Sequence, residues 1–233
     1  MYLNYDIHLH SCLSPCADNN MTPAAIAGFA KLAGIDVIAV TDHNTAENLP
    51  FVAEACKAYG IKMIPGIEVT TAEEIHVLCY FHSVNSALEM SKILYKSLPN
   101  IICNKKIYGE QIICNCDDEN IGEVDKLLIN ATALSIYDIF ELTKGFGGEC
   151  VPAHIDRDSY SVLSVLGIMP EDLNPVAVEL FNREKLQAFV NRGQIKPPKE
   201  VTTASDAHRL EDIATHVLKA DEESFLWQFV KDL

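Results

Sequence analysis

Short apolar runs alternate with amphipathic stretches through most of this chain. Residues 3–9 read as a strand running into a loop. TPAAIAGFAKLA (22–33) has helical periodicity, with Thr22 placed to cap it, Pro23 at its first position and Gly34 as its stop. DVIAV (36–40) is an unbroken apolar run, the signature of a strand buried on both faces. Residues 47–60 predict a helix ending at Gly60. IKMIPGIEV (61–69) and EIHVLCYF (74–81) predict strands, and 84–98 a helix stopped by Pro99.

Residues 99–133 break this rhythm, with hairpin-like alternation around Gly109, an acidic turn and a short helical piece. They read as an insertion or a small lid subdomain within a single 1–233 domain. The alternation then resumes: helix at 135–148, strand ECVPAH (149–154), helix SYSVLSVLGI, strand AVELF (177–181), helix EKLQAFVNRG, strand VTTASDAH (201–208) and C-terminal helix SFLWQFVKD. Alternating strands and helices imply a parallel α/β arrangement. No internal repeat or low-complexity segment is present.

The candidate chemistry sits at the ends of these strands. Six of the eight histidines fall where a predicted strand meets a loop: His8 and His10 (HLH), His43 (TDHN), His76 (EEIHVL), His154 (VPAH) and His208 (SDAH). Asp18, Glu68 (GIEVT) and Asp206 join them. Imidazole and carboxylate together suit zinc, iron or manganese. Alternate residues of a strand face one side, so His8 and His10 can share an ion. A carboxylate on a buried strand, as expected for Glu68, requires a cation or strong hydrogen bonds. Ligands spread over many strand ends favour a barrel, whose sites lie at the C-terminal ends of its strands, over an open sheet with one switch point.

The ordered motifs HLHSCLSPC, TDHN, GIEVTT, EEIHVL, PAH and SDAH resemble the polymerase and histidinol phosphatase (PHP) domain family, from the first strand to about residue 208. The resemblance implies a distorted (β/α)7 barrel, three divalent metal ions and phosphoesterase activity. It places the first ion on His8, His10, Glu68 and Asp206, and the second on the bridging Glu68 with His76 and His154. The third ion takes His43, His208 and one residue of the loop after HLH. Asp18 is favoured there on its hard oxygen, with the Cys16 thiol as its rival. His82 and His216 are assigned to the surface. On this reading Glu68, His43, His154 and Asp206 carry the catalysis through the ions, and a metal-activated water attacks phosphorus. Arg157 and Arg209 beside the ligands are candidate phosphate contacts, or ion pairs with nearby acids. Asp42, Asp156 and Asp6 are candidates for orienting the histidines.

Composition narrows the alternatives. A net charge of −15 argues against long nucleic acid and anionic membranes as partners, leaving a small phosphorylated substrate, with a nucleotide favoured. It leaves room for an anion at the site itself, since clustered divalent cations reverse the local field. No apolar run approaches the roughly 20 residues of a bilayer span, and the N-terminus lacks a secretory pattern, so a cytoplasmic protein is expected. The eight cysteines then read as reduced thiols, with Cys12 and Cys16 beside the metal loop. A glycine-rich P-loop and a G-x-S-x-G elbow are both absent. The competing readings are an amidohydrolase-type hydrolase at a similar site and a metal-loaded binding module without turnover.

Overall fold

The fold is known from a computed structural model that describes residues 2–231; Met1, Asp232 and Leu233, the ends of the expected 1–233 domain, lie outside the described residues. The chain opens with β1 (Leu3–Leu9), α1 (Pro23–Leu32), β2 (Val37–Val40) and α2 (Leu49–Tyr59). Pro23 starts α1, and Ile26, Ala27 and Ala30 form its buried stripe; Thr22 stands at the cap position without a side-chain bond. Gly60 ends α2 in the left-handed region.

The expected strand 61–69 is two strands, β3 (Lys62–Met63) and β4 (Gly66–Thr70), which lie in different sheets. Pro65 between them has no N–H for a ladder and restricts the residue before it, so the chain changes sheet there. β5 (His76–Tyr80) and α3 (Val84–Ser97) follow, the helix capped by Ser83 and ending two residues before Pro99. Beyond these come α4 (Lys105–Tyr108), β6 (Ile112–Cys114), β7 (Asn120–Glu123), α5 (Ile136–Gly145) and β8 (Glu149–Pro152). A Ser135–Asp138 capping box starts α5. The last expected elements are shorter than their sequence patterns: α6 (Val162–Leu166), β9 (Val178–Glu179), α7 (Leu186–Asn191), β10 (Val201–Thr202) and, after an unexpected strand β11 (Leu218–Ala220), α8 (Trp227–Val230).

The fold is mixed α/β, and its described strands do not close into one hydrogen-bonded barrel. They form four sheets, ordered β11-β1-β2-β3, β4-β5-β8, β9-β10 and β6-β7. The purely parallel arrangement expected from the alternation is also corrected. β5 runs antiparallel to β4 and to β8. Only residues 71–75 join β4 to β5, too few for the crossover that a parallel pair requires. Single contacts link the sheets: bridges Leu9 to Ala207 and His43 to Glu68, and the Ile155 N–H to the Glu179 carbonyl at 2.9 Å. Inward side chains from several sheets, including Tyr5, Ile7, Val37, Ala39, Leu78, Val151 and Ala204, form one apolar cluster. A second cluster packs helices on the outer faces.

Residues 99–133 dock on the loop after β1. The Ile112 N–H donates to the Cys12 carbonyl at 3.0 Å, and Asn48 bonds the backbone of both Ile112 and Cys114. Gly109 sits at φ 98°, where an added Cβ would lie 2.2 Å from the Pro15 carbonyl oxygen. Gly109→Ala combines a backbone clash with a conformation that L residues avoid, and should cost about 2–3 kcal/mol in urea unfolding. Gly122→Ala, in β7 with room for a methyl group, should stay within about 1 kcal/mol of wild type.

Candidate metal centre

Glu68 stands mid-strand in β4 and is 1% exposed. Five imidazoles surround its carboxylate. His8 Nε2, His76 Nδ1 and His154 Nε2 lie 3.2, 2.9 and 3.3 Å from Oε1; His10 Nε2 and His43 Nδ1 lie 3.4 and 3.1 Å from Oε2. Asp206 completes the wall, with Oδ1 3.3 Å from His8 Nε2 and 3.2 Å from His10 Nε2. His208 stacks on His10 with ring centroids 4.3 Å apart.

The elements explain the convergence. His8 and His10 share one face at the end of β1. The His43–Glu68 bridge brings the end of β2 to β4. His76 is the first residue of β5, not the last of a parallel strand; because β5 is antiparallel, its start lies beside the end of β4, opposite Thr70. His154 and Asp206 take φ values of 29° and 52°, in a region non-glycine residues rarely adopt. Such strain persists where the surrounding structure imposes it, and it is characteristic of functional sites.

Burial and mutual charge pull the groups of this cluster in opposite directions. Burial alone would raise the Glu68 carboxyl, but His76, His8 and His43 hold it well below the usual range. Burial opposes a charge on His8, yet Asp206, Glu179 and Glu68 together raise it. Burial lowers His43 despite Glu68, and burial with the neighbouring His10 lowers His208 to about 4. Imidazoles this close repel one another's charges. His8 Nε2, His10 Nε2, His43 Nδ1 and Glu68 Oε1 are buried without a hydrogen-bond partner. Divalent cations would satisfy these atoms, and the donor set suits zinc, iron or manganese. Three-residue groups of His8, His10 and Glu68, and of His43, Glu68 and His76, each bring ligand atoms within 4.8 Å of one another.

Outer contacts hold the ligands. Glu179 of β9 lies 3.1 and 3.2 Å from His8 Nδ1 and accepts from the His154 N–H at 2.9 Å. Asp42 accepts from Ser11 Oγ at 2.5 Å and from Ser14 Oγ at 2.6 Å, and Ser14 Oγ lies 3.1 Å from His10 Nδ1. Because Ser14 donates to Asp42, it accepts from His10, which leaves His10 Nε2 free for an ion. A cavity of about 230 Å³ opens over the cluster, lined by Cys16, Glu68, Arg157, Tyr160 and His208 among others. The Tyr160 ring stacks on His76 at 4.7 Å.

Eight of the nine expected ligands therefore meet: His8, His10, His43, Glu68, His76, His154, Asp206 and His208. Asp18 does not. Its carboxylate is exposed and accepts from the N–H and side chain of Asn20, both at 2.9 Å, a local turn that faces it outward. Cys16 lines the cavity in its place. Arg157 reaches the site, 2.6 Å from Asp206 Oδ2 and 5.4 Å from the centre of the Phe181 ring. Arg209 is exposed and does not line the cavity. Asp156 accepts from the Phe181 and Asn182 N–H groups, and Asp6 from those of Ser205 and Ala214, so these two anchor loops rather than histidines. His82 stacks on Phe229 and His216 on Phe181. Glu179 and Ser14 were not singled out in the sequence. Glu179 carried the same signal as Glu68, a lone carboxylate inside an apolar strand.

The PHP domain family matches residues 6–146, more than half of the chain. A 5′-3′ exoribonuclease of Haemophilus influenzae is 33% identical over 81 residues, which are 34% of this chain and 28% of that protein. The chain thus matches under a third of the length of this relative. Among solved structures, a Bifidobacterium adolescentis protein whose proposed activity is that of a metal-dependent phosphoesterase has a TM-score of 0.60 at 18% identity, covering 88% of this chain and 87% of its own. The lesion-specific endonuclease PfuEndoQ from Pyrococcus furiosus has a TM-score of 0.62 at 18% identity, covering 97% of this chain and 55% of its own. Endonuclease Q has also been solved with a 27-mer duplex bearing an abasic lesion at its active site. These relatives overturn the argument from net charge against long nucleic acid. A chain-wide sum of −15 says little about the field at one metal-lined cavity.

Among the described residues, no helix is long and apolar enough to cross a membrane. The Glu179–His8 contact yields a direct expectation. Glu179→Gln should weaken metal binding about 10–100-fold in a chelator competition while the protein remains folded. Unchanged affinity would show that Glu179 does not orient His8 for an ion.

Proposed function

The chain belongs to the PHP domain family, and from that membership and the geometry of its site we propose that it is a metal-dependent hydrolase of phosphate esters. The substrate class is a nucleotide phosphate ester, free or within an oligonucleotide. The single observation that carries this reading is the buried Glu68 carboxylate ringed by five imidazoles at the floor of an open cavity. The exoribonuclease relative supports the nucleotide part of the proposal.

His8, His10, Glu68 and Asp206 would hold one ion, and His76 and His154 with Glu68 a second. His43 and His208 belong to a third. Bound divalent ions supply a water of lowered pKa and neutralise phosphoryl oxygens. Glu68, His43, His154 and Asp206 serve by fixing that charge against the scissile phosphate. Arg157 presents its guanidinium at the cavity, where a planar fork matches phosphate oxygens, and Asp206 keeps it in place. Phe181 supports the same group from below. We read the fold as a distorted (β/α)7 barrel, supported by the apolar cluster drawn from several sheets and by the single contacts that lace them beside the ligands.

The test is release of phosphate or nucleotide from a panel of phosphomonoesters, cyclic and linear diesters and 5′-phosphorylated oligonucleotides. The protein is loaded in turn with manganese, zinc and iron(II). Chelator-sensitive release from a nucleotide class is expected. Release of amine or ammonia from amides, with none of phosphate, would favour an amidohydrolase instead. Full metal content with no turnover across the panel would favour a binding module. Arg157→Ala should lower kcat/KM about 100–1000-fold while metal content is retained.

A further inference from the structure

One ligand atom from each of His10, Cys16, His43 and His208 lies within 4.8 Å of the others. His10 is already engaged with Glu68 and Asp206, at 3.4 and 3.2 Å. Of the other three, His43 has its Nδ1 3.1 Å from Glu68 alone, while Cys16 and His208 are not held by Glu68; of the four, His10 alone sits between both Glu68 and Asp206. His43, 5% exposed, turns toward the cluster an Nδ1 that has no hydrogen-bond partner. His208 is held from its far side, with Nδ1 2.8 Å from the Asp206 carbonyl.

The loop that carries Cys16 is pinned at both ends. Pro15 packs against Gly109 of the 99–133 segment. The Asp18 N–H donates to the His208 carbonyl at 2.8 Å, and the Ala17 N–H to the Ser14 carbonyl at 2.9 Å. The same pinning that turns Asp18 outward presents the Cys16 sulfur to the two histidines.

We propose that Cys16 binds the third ion as a thiolate, in a Cys16–His43–His208 site whose remaining position is open to water or substrate. The proposal rests on the metal-centre reading above and adds a selectivity to it. Three protein ligands with an open fourth place is the pattern of a catalytic rather than a structural ion. A thiolate with two imidazoles prefers borderline cations such as zinc, iron(II) and cobalt(II) over magnesium or manganese. The third position would therefore be filled by a different class of metal from an all-nitrogen and oxygen site. It would also be lost on thiol oxidation, because Cys16 is the exposed member of the set.

The whole chain, stripped of metal and titrated with cobalt(II), tests this by absorption spectroscopy and metal analysis. Wild type should show visible cobalt bands together with a near-ultraviolet thiolate-to-cobalt charge-transfer band. Cys16→Ser should lose the charge-transfer band and about one ion per chain. Cys16→Asp should recover the ion without the band and accept manganese at that position, which separates loss of a ligand from loss of the fold. Visible cobalt bands in wild type with no charge-transfer band would overturn the thiolate while leaving the metal centre intact. Persistence of that band in Cys16→Ser would likewise overturn it. No cobalt binding at all by wild type would overturn both this site and the metal-centre reading.

Discussion

The Glu68 carboxylate and the imidazoles around it are the interaction on which the site depends. A buried carboxylate without compensation costs several kcal/mol, and the imidazoles compensate it only in part because His8 and His10 turn their Nδ1 toward Glu179 and Ser14. Protonating several rings would replace one penalty with another, since ring centroids such as those of His10 and His43 stand only 4.6 Å apart. Divalent cations would resolve both problems at once. Metal binding and the stability of this end of the fold are then one free energy.

The sheets are arranged to meet that demand. β4 is buried along its length and lies between the end of β2 and the antiparallel β5, so its central carboxylate faces ligands from both sides. β9 contributes two residues to a ladder, yet one of them, Glu179, holds both the His8 ring and the His154 backbone. Ser14 from the loop after β1 and Asp42 from the loop after β2 do the same for His10. Residues 99–133 hold that loop from outside. Ligand placement therefore rests on contacts scattered through the chain and not on one rigid element.

Much of this was legible in the sequence, for identifiable reasons. The helices α1, α2, α3 and α5 carried caps, glycine stops and a clear apolar period. The ligand histidines carried motif order. What was hidden were facts of pairing and orientation. GIEV and EIHVL both read as strands, but only the short connection between them revealed that the second reverses direction. IKMIPGIEV read as continuous because its apolar content masks the change of sheet at Pro65. Asp18 and Cys16 sit in the same loop, and ligand hardness favoured the carboxylate; the turn with Asn20 that directs that carboxylate outward left no mark in the motif. Net charge misled for a different reason, since a sum over the chain carries no information about where the charges lie.

Glu68→Gln keeps the size of the side chain and removes the charge that the ions must balance, so thermal unfolding with and without added zinc or manganese tests the central claim most directly. Wild type should gain Tm on addition of metal, as any ligand of the native state requires. Glu68→Gln should remain folded without metal and show little or no gain. An equal metal-dependent rise in the two proteins would contradict the account, because the ions would then be held without the carboxylate placed at its centre.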